Sequence, residues 1–185
     1  MKRMAMFVLM FAVMVFSGNA AQAVMFKAGI SFTNTASPTA GWYDAYNNNG
    51  LGANAQALFG EKLRYGFETG YFNLWSLQVE SRDGQGNFLG NLTYAVTAIS
   101  TMGILDYRLG EKKSAYVQGG IGVFSCSATG GTPVSHFALS LGAGYVFNKS
   151  GKVPIDAGLK YYVLNYSELG NITVLNLGVS ALFAL

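Results

Sequence analysis

Leu175-Asn176-Leu177-Gly178-Val179-Ser180-Ala181-Leu182-Phe183-Ala184-Leu185 closes the chain, with Leu175, Leu177, Val179, Ala181, Phe183 and Leu185 on one parity and Asn176, Gly178 and Ser180 on the other. Successive side chains of a strand point to opposite faces, so this segment has one face suited to lipid and one that is not.

The same alternation recurs upstream. Phe26 to Thr33 sets Phe26, Ala28, Ile30 and Phe32 against Lys27, Gly29, Ser31 and Thr33, and Leu51 to Phe59 sets Ala53, Ala55, Ala57 and Phe59 against Asn54 and Gln56. Leu63 to Trp75 places Leu63, Tyr65, Phe67, Tyr71 and Trp75 opposite Arg64, Gly66, Glu68 and Gly70. In Asn91 to Leu105 the apolar set is Leu92, Tyr94, Val96, Ala98, Met102 and Ile104, facing Thr93, Thr97 and Thr101, although Ile99 and Leu105 share the threonine parity. Ala115 to Val123, Phe137 to Phe147 and Val153 to Val163 complete the series, the last with Asp156, Gly158, Lys160 and Tyr162 on its polar side.

Eight such segments of roughly ten residues predict an all-β, eight-stranded antiparallel up-and-down transmembrane β-barrel. An even strand count closes without a free edge, and closure is required because hydrocarbon offers backbone N–H and C=O groups no partner. The connectors alternate in length: Gly60-Glu61-Lys62, Tyr107 to Ser114 and Asn148 to Lys152 are short, while Asn34 to Gly50, Ser76 to Gly90 and Ser125 to Ser135 are long, with Asn165 to Asn171 intermediate. Short turns belong on the periplasmic side of an outer membrane, which puts both termini there. Phe26, Phe59, Tyr65, Tyr145, Phe147 and Phe183 then form one aromatic girdle and Phe32, Tyr71, Tyr94, Phe137 and Tyr161 the other.

Composition and targeting agree. Hydrophobic residues make up 51% of the chain and charged residues 11%, yet no mature segment is a continuous apolar run of helix-spanning length. Lys2 and Arg3, the apolar stretch Met4 to Phe16 and the small-x-small sequence Ala21-Gln22-Ala23 read as a secretory signal over residues 1–23, cleaved after Ala23, ahead of one barrel domain over 24–185. Its removal takes the formal charge from +3 to about +1, which makes no case for nucleic acid. Cys126 has no partner in the chain, so no disulfide framework exists.

The stretches Leu63-Arg64-Tyr65-Gly66-Phe67-Glu68-Thr69-Gly70-Tyr71, Ala115-Tyr116-Val117-Gln118-Gly119-Gly120-Ile121-Gly122-Val123 and Leu177-Gly178-Val179-Ser180 make the chain resemble the small eight-stranded outer-membrane barrels, the group of the OmpA transmembrane domain, OmpX and the opacity proteins. The resemblance covers the mature chain. It implies a structural barrel that presents surface loops for envelope integrity or adhesion, with no cofactor or metal. It also implies contacts with outer-membrane lipid and lipopolysaccharide, the barrel assembly machinery and an extracellular ligand at the long loops. The family usually ends on a terminal aromatic, whereas this chain ends Phe183-Ala184-Leu185.

Lys27, Arg64, Glu68, Asp156 and Lys160 all project inward on this register, into a lumen with room for little besides side chains. Buried charges must pair, so the bland reading is a packed polar plug whose ion pairs fix register; the sharper one is a gate that opens when the pairs exchange. His136 and Ser140 invite comparison with lipid-deacylating barrels, which would make the chain an enzyme acting on lipid A or phospholipid. The tight His-x-Ser-Asn arrangement is absent, however, and Ser140 faces inward. A third reading, a soluble periplasmic carrier of a lipophilic ligand, needs the apolar parity inside. Gly119-Gly120-x-Gly122 and Gly142-x-Gly144 lie within strands and signal close packing rather than a phosphate cradle. Trp42, Tyr43 and Tyr46, set among Asn and Gly, are the candidates for external contact or for anchorage at the headgroups.

Overall fold

A computed structural model of the chain describes residues 24–36, 48–110, 114–148, 153–166 and 170–184. The expected signal segment 1–23 and the candidate contact residues Trp42, Tyr43 and Tyr46 lie outside the described residues. Eight strands follow in order: β1 Val24–Ala36, β2 Asn49–Phe59, β3 Leu63–Arg82, β4 Phe88–Leu109, β5 Ala115–Ala128, β6 Val134–Phe147, β7 Ile155–Tyr166 and β8 Gly170–Ala184. Each pairs antiparallel with its neighbours in sequence, and β1 pairs with β8 to close the barrel. The terminal end carries the start of β1 and the end of β8, with the links β2–β3, β4–β5 and β6–β7; the loop end carries the links β1–β2, β3–β4, β5–β6 and β7–β8. Gly60 opens the first terminal-end turn at φ 106°, a conformation that side chains rarely adopt.

Alternation puts the apolar side chains outside. Ile30, Leu51, Phe67, Ile99, Ile121, Leu141, Leu159 and Leu177, one from each strand, all stand exposed on the outer wall. Aromatics mark the terminal edge of this belt, where Phe59 stacks on Tyr65 at 6.0 Å and Tyr145 lies 4.9 Å from Phe147. Phe32, Tyr71, Phe137 and Tyr161 mark the other edge. Toward the loop end the outward positions turn polar, at Asn34, Asn73, Thr97, Ser125, Ser135, Asn165 and Thr173. An apolar exterior around a lumen that takes up the charged side chains of the wall is the reverse of the lipophilic-carrier arrangement, which this register overturns.

Four local departures have physical causes. The expected loop Ser76 to Gly90 is mostly strand: pairing runs from Ser76↔Ala95 to Arg82↔Phe88 and leaves only a tight turn. β5 and β6 likewise consume most of Ser125 to Ser135. Backbone pairing continues past the apolar belt because the ladder does not depend on what the side chains are. Second, Leu74 is a bulge between the pairs Asn73↔Thr97 and Trp75↔Val96. It faces the lumen and takes Trp75 off the outward face shared by Phe67 and Tyr71, so that Trp75 packs against the buried apolar cluster.

Third, β4 is inverted relative to its apolar pattern. Ala98, Met102 and Ile104 are buried inside, Ile99 and Leu105 are exposed outside, and Tyr94, on the inward parity beyond the belt, is not a girdle residue. Asp106 and Arg108 share the inward parity of Met102, and Asp106 sits opposite Arg64 in the ladder. Turning β4 over would push two charges into lipid, far costlier than facing threonines outward. Fourth, β7 begins at Ile155 rather than Val153, immediately after Pro154, which has no N–H for the ladder.

Candidate functional site

The lumen divides into two unlike halves. Toward the terminal end it is ionic. Glu68 of β3, fully buried, accepts hydrogen bonds from Lys160 of β7, Gln56 of β2 and the Tyr162 hydroxyl (2.8 Å). Asp156 takes Lys27 of β1 at 2.5 Å and the Tyr116 hydroxyl at 2.9 Å. Asp106 takes Arg64 through Nε (3.0 Å) and Nη2 (2.7 Å), and Arg108 at 3.4 Å. Three carboxylates thus meet four cations across the barrel, joining strands remote in sequence. A charge withdrawn from water loses its solvation, and such close pairing with extra hydrogen bonds is what makes its burial tolerable.

Tyr116 is the pivot of this half. Its hydroxyl also accepts an N–H from Lys27 (2.8 Å), and its ring receives the Lys27 and Arg108 cations, each 4.9 Å from the centroid. It seats against Gly144 of β6, where an added Cβ would collide with the tyrosine ring and hydroxyl. The glycines of β6 therefore serve close packing, with no helix behind them to hold a phosphate.

Toward the loop end the lumen is mainly apolar, although Thr33, Ser100 and His136 are buried there as well. Phe72 and Phe124 stack at 5.7 Å, and Tyr162 meets them at 5.9 and 5.1 Å. Leu74, Ala98, Cys126, Leu164, Ile172 and Val174 complete a cluster shut off from solvent. Tyr162 belongs to both halves: its ring lies in the seal and its hydroxyl on Glu68.

The structure places Lys27, Arg64, Glu68, Asp156 and Lys160 together inside the barrel. The sequence reading missed Asp106 and Arg108, whose signal was present: two charges two residues apart continue the parity of Met102 and Ile104, but the segment had been ended at Leu105. It also missed Phe72 and Phe124, whose signal was parity: Phe72 continues the inward positions of Arg64 and Glu68, and Phe124 those of Tyr116 and Gln118, although their apolar character pointed the other way. His136 and Ser140 lie on the inner face of β6, away from the lipid-facing wall that an acyl-transfer site of the compared kind would use, and the three lumen carboxylates are engaged by cations. Among the described residues no cluster of His, Cys, Asp or Glu could hold a metal ion.

Beyond the polar ring, β3 and β4 continue as a two-stranded ribbon past their pairings with β2 and β5, which stop at Phe72 and Val96. Phe88, Leu89, Leu92 and Tyr94 are exposed on it, and Glu80 pairs with Arg82 at 2.8 Å. At its tip the Asp83 carboxylate accepts the backbone N–H groups of Gln85 (2.9 Å) and Asn87 (2.8 Å) and the Asn87 amide (2.9 Å). These bonds, that of the Asn87 side chain foremost, hold the Asp83 carboxyl below the usual carboxylate range.

No protein-family model and no curated protein matches the chain. Among solved structures, Neisserial surface protein A superposes with a TM-score of 0.63 at 14% identity, covering 86% of this chain and 95% of that one. The attachment invasion locus protein Ail of Yersinia pestis, solved with the heparin analogue sucrose octasulfate, gives 0.48 at 16% identity, covering 89% and 100%. OprG of Pseudomonas aeruginosa gives 0.45 at 15%, covering 90% and 98%. The chain therefore folds as an eight-stranded barrel of the small outer-membrane type, the architecture it shares with Neisserial surface protein A.

Proposed function

We propose that the chain is a structural protein of the bacterial outer membrane, a barrel with periplasmic termini that holds the β3–β4 ribbon at the cell surface and has no through-pore. The observation that carries this reading is the combination of an apolar exterior on every strand with a lumen stopped by Phe72, Phe124 and Tyr162. Supporting it are aromatic edges to the belt and the reach of β3 and β4 past it at the loop end, since in such barrels the longer excursions face outward. Its partners are outer-membrane lipid, lipopolysaccharide and the barrel assembly machinery. The ribbon serves envelope integrity or adhesion, and the chemistry is non-catalytic.

The test begins with heat-modifiability of the protein in the outer-membrane fraction, where a mobility difference between unheated and boiled samples is expected. A soluble protein without that difference would sink the membrane reading. A Gln85→Cys variant probed on intact cells with a membrane-impermeant maleimide should react at once, whereas reaction only after lysis would reverse the orientation. The lipid profile of cells carrying His136→Ala or Ser140→Ala should equal that of cells carrying the unsubstituted protein; a changed profile would restore the enzyme.

A further inference from the structure

The ionic half of the lumen leaves two acceptors unmatched. Asp156 Oδ2 and Gln118 Oε1 are buried, on side chains 1% and 2% exposed, and no described protein group donates to either. Both residues line one cavity of about 20 Å³, which Lys27, Lys160, Asn176 and Gly178 also border. That volume exceeds the roughly 10–15 Å³ that one water molecule needs, and the walls are polar. A buried acceptor without a donor is costly, so the cavity calls for a ligand with two hydrogens to give.

From this we infer that the cavity is a built site for a bound water molecule that donates to Asp156 Oδ2 and Gln118 Oε1. Its lone pairs face ammonium donors: Lys27 spends two of its three N–H groups on Tyr116 and Asp156 and keeps one. A metal cation is the wrong occupant, since Lys27 and Lys160 already bring two positive charges to the wall. An anion is the wrong occupant too, since both unmatched atoms are acceptors. The water acts as a joint. Gln118 already reaches toward Asp106 (3.5 Å) and Gln56 (3.3 Å), so a molecule shared with Asp156 ties the Lys27–Asp156 pair to the Arg64–Asp106 and Lys160–Glu68 pairs in one network.

Gly178 supplies a test whose sign depends on the occupant. A Cβ there would meet Ile30 O and Ser31 Cβ at 3.5 Å and Asn176 Oδ1 at 3.6 Å, ordinary contacts, while pointing into the cavity. In a dry cavity Gly178→Ala fills a void and restricts the unfolded chain, and both effects raise the unfolding midpoint. In a hydrated one it expels the water and strands both acceptors. The measurement is the midpoint of the folded-to-unfolded gel shift of the full-length barrel in detergent on heating. The expected result is a fall of roughly 2–4 °C for Gly178→Ala, and a smaller further fall when it is added to Gln118→Leu, which leaves Asp156 as the one acceptor of the two still to be stranded. A rise, or an equal fall in both backgrounds, which would signal plain crowding, overturns the proposal. A high-resolution crystal structure of the unsubstituted protein checks it independently: solvent density between Asp156 and Gln118 is expected, and a clean void there overturns it as well.

Discussion

The two halves of the lumen solve one packing problem with opposite chemistry. In the terminal half, Glu68, Asp106 and Asp156 are each held by cations on other strands, and every bond has a direction, so a slip of one residue between neighbours would break several at once. In the loop half, Phe72, Phe124 and Tyr162 interlock through ring contacts that tolerate adjustment, within a cluster of buried apolar side chains. Specificity of register thus resides below and closure above. A barrel filled with charge throughout would stay hydrated and one filled with aromatics throughout would leave register to the wall alone.

The comparison can be broken most severely at Glu68. Glu68→Ala strands the buried Lys160 ammonium and the Tyr162 hydroxyl, and should cost about 4 kcal/mol, read from denaturant unfolding of the detergent-solubilised barrel; a loss under about 1 kcal/mol would mean that the pairs carry little of the fold. Phe124→Ala comes next, at about 3 kcal/mol from lost contacts and a cavity. Unlike Glu68→Ala it opens the seal, so the double variant Phe72→Ala/Phe124→Ala should pass small ions in planar bilayers where the unsubstituted barrel passes none. Equal silence of both would place the barrier elsewhere.

Tyr162→Phe sharpens the contrast, since it removes the Tyr162–Glu68 bond between the halves and leaves the ring in place. It should cost about 2 kcal/mol, the value of a buried hydrogen bond to a charged group, without inducing conductance. The smallest effect lies outside the lumen, at the ribbon tip. A carboxyl whose folded pKa is depressed stabilises its surroundings fully above the unfolded value of about 3.9 and loses that contribution as pH falls through the lower folded value. Protection of the Gln85 and Asn87 amides from hydrogen exchange, corrected for the intrinsic rate, should therefore drop selectively in strong acid, and Asp83→Asn should show the acid behaviour already at neutral pH.

Most of the wall was legible in the sequence. On β1, β6 and β8 the parities of Phe26 to Phe32, Phe137 to Phe147 and Leu175 to Phe183 carry over directly, because on those strands the outer face is apolar and its counterpart is mostly polar or glycine, with Ala138, Val146 and Leu182 as the apolar exceptions. On β4 the rule failed. Ala98, Met102 and Ile104 belong to an apolar part of the lumen, so hydrophobicity marked inside and outside alike there, and only Asp106 and Arg108, one step beyond the expected end of the segment, broke the tie. The lumen was half legible for a related reason. Lys27, Arg64, Glu68, Asp156 and Lys160 announce themselves by charge on a polar parity, whereas Phe72 and Phe124 share that parity but carry side chains that by type suit the lipid face.

The amino-acid sequence by itself determined the strand number, the alternation of faces and the closure of the barrel, because these follow from a period of two and from the need to satisfy backbone groups in hydrocarbon. Only the tertiary structure decided which cation meets which carboxylate, that Leu74 bulges inward, that β4 turns its threonines outward, and that three aromatic rings from β3, β5 and β7 meet inside the barrel. Those outcomes depend on contacts between residues far apart in the chain, such as Glu68 with Lys160, and no local pattern records them.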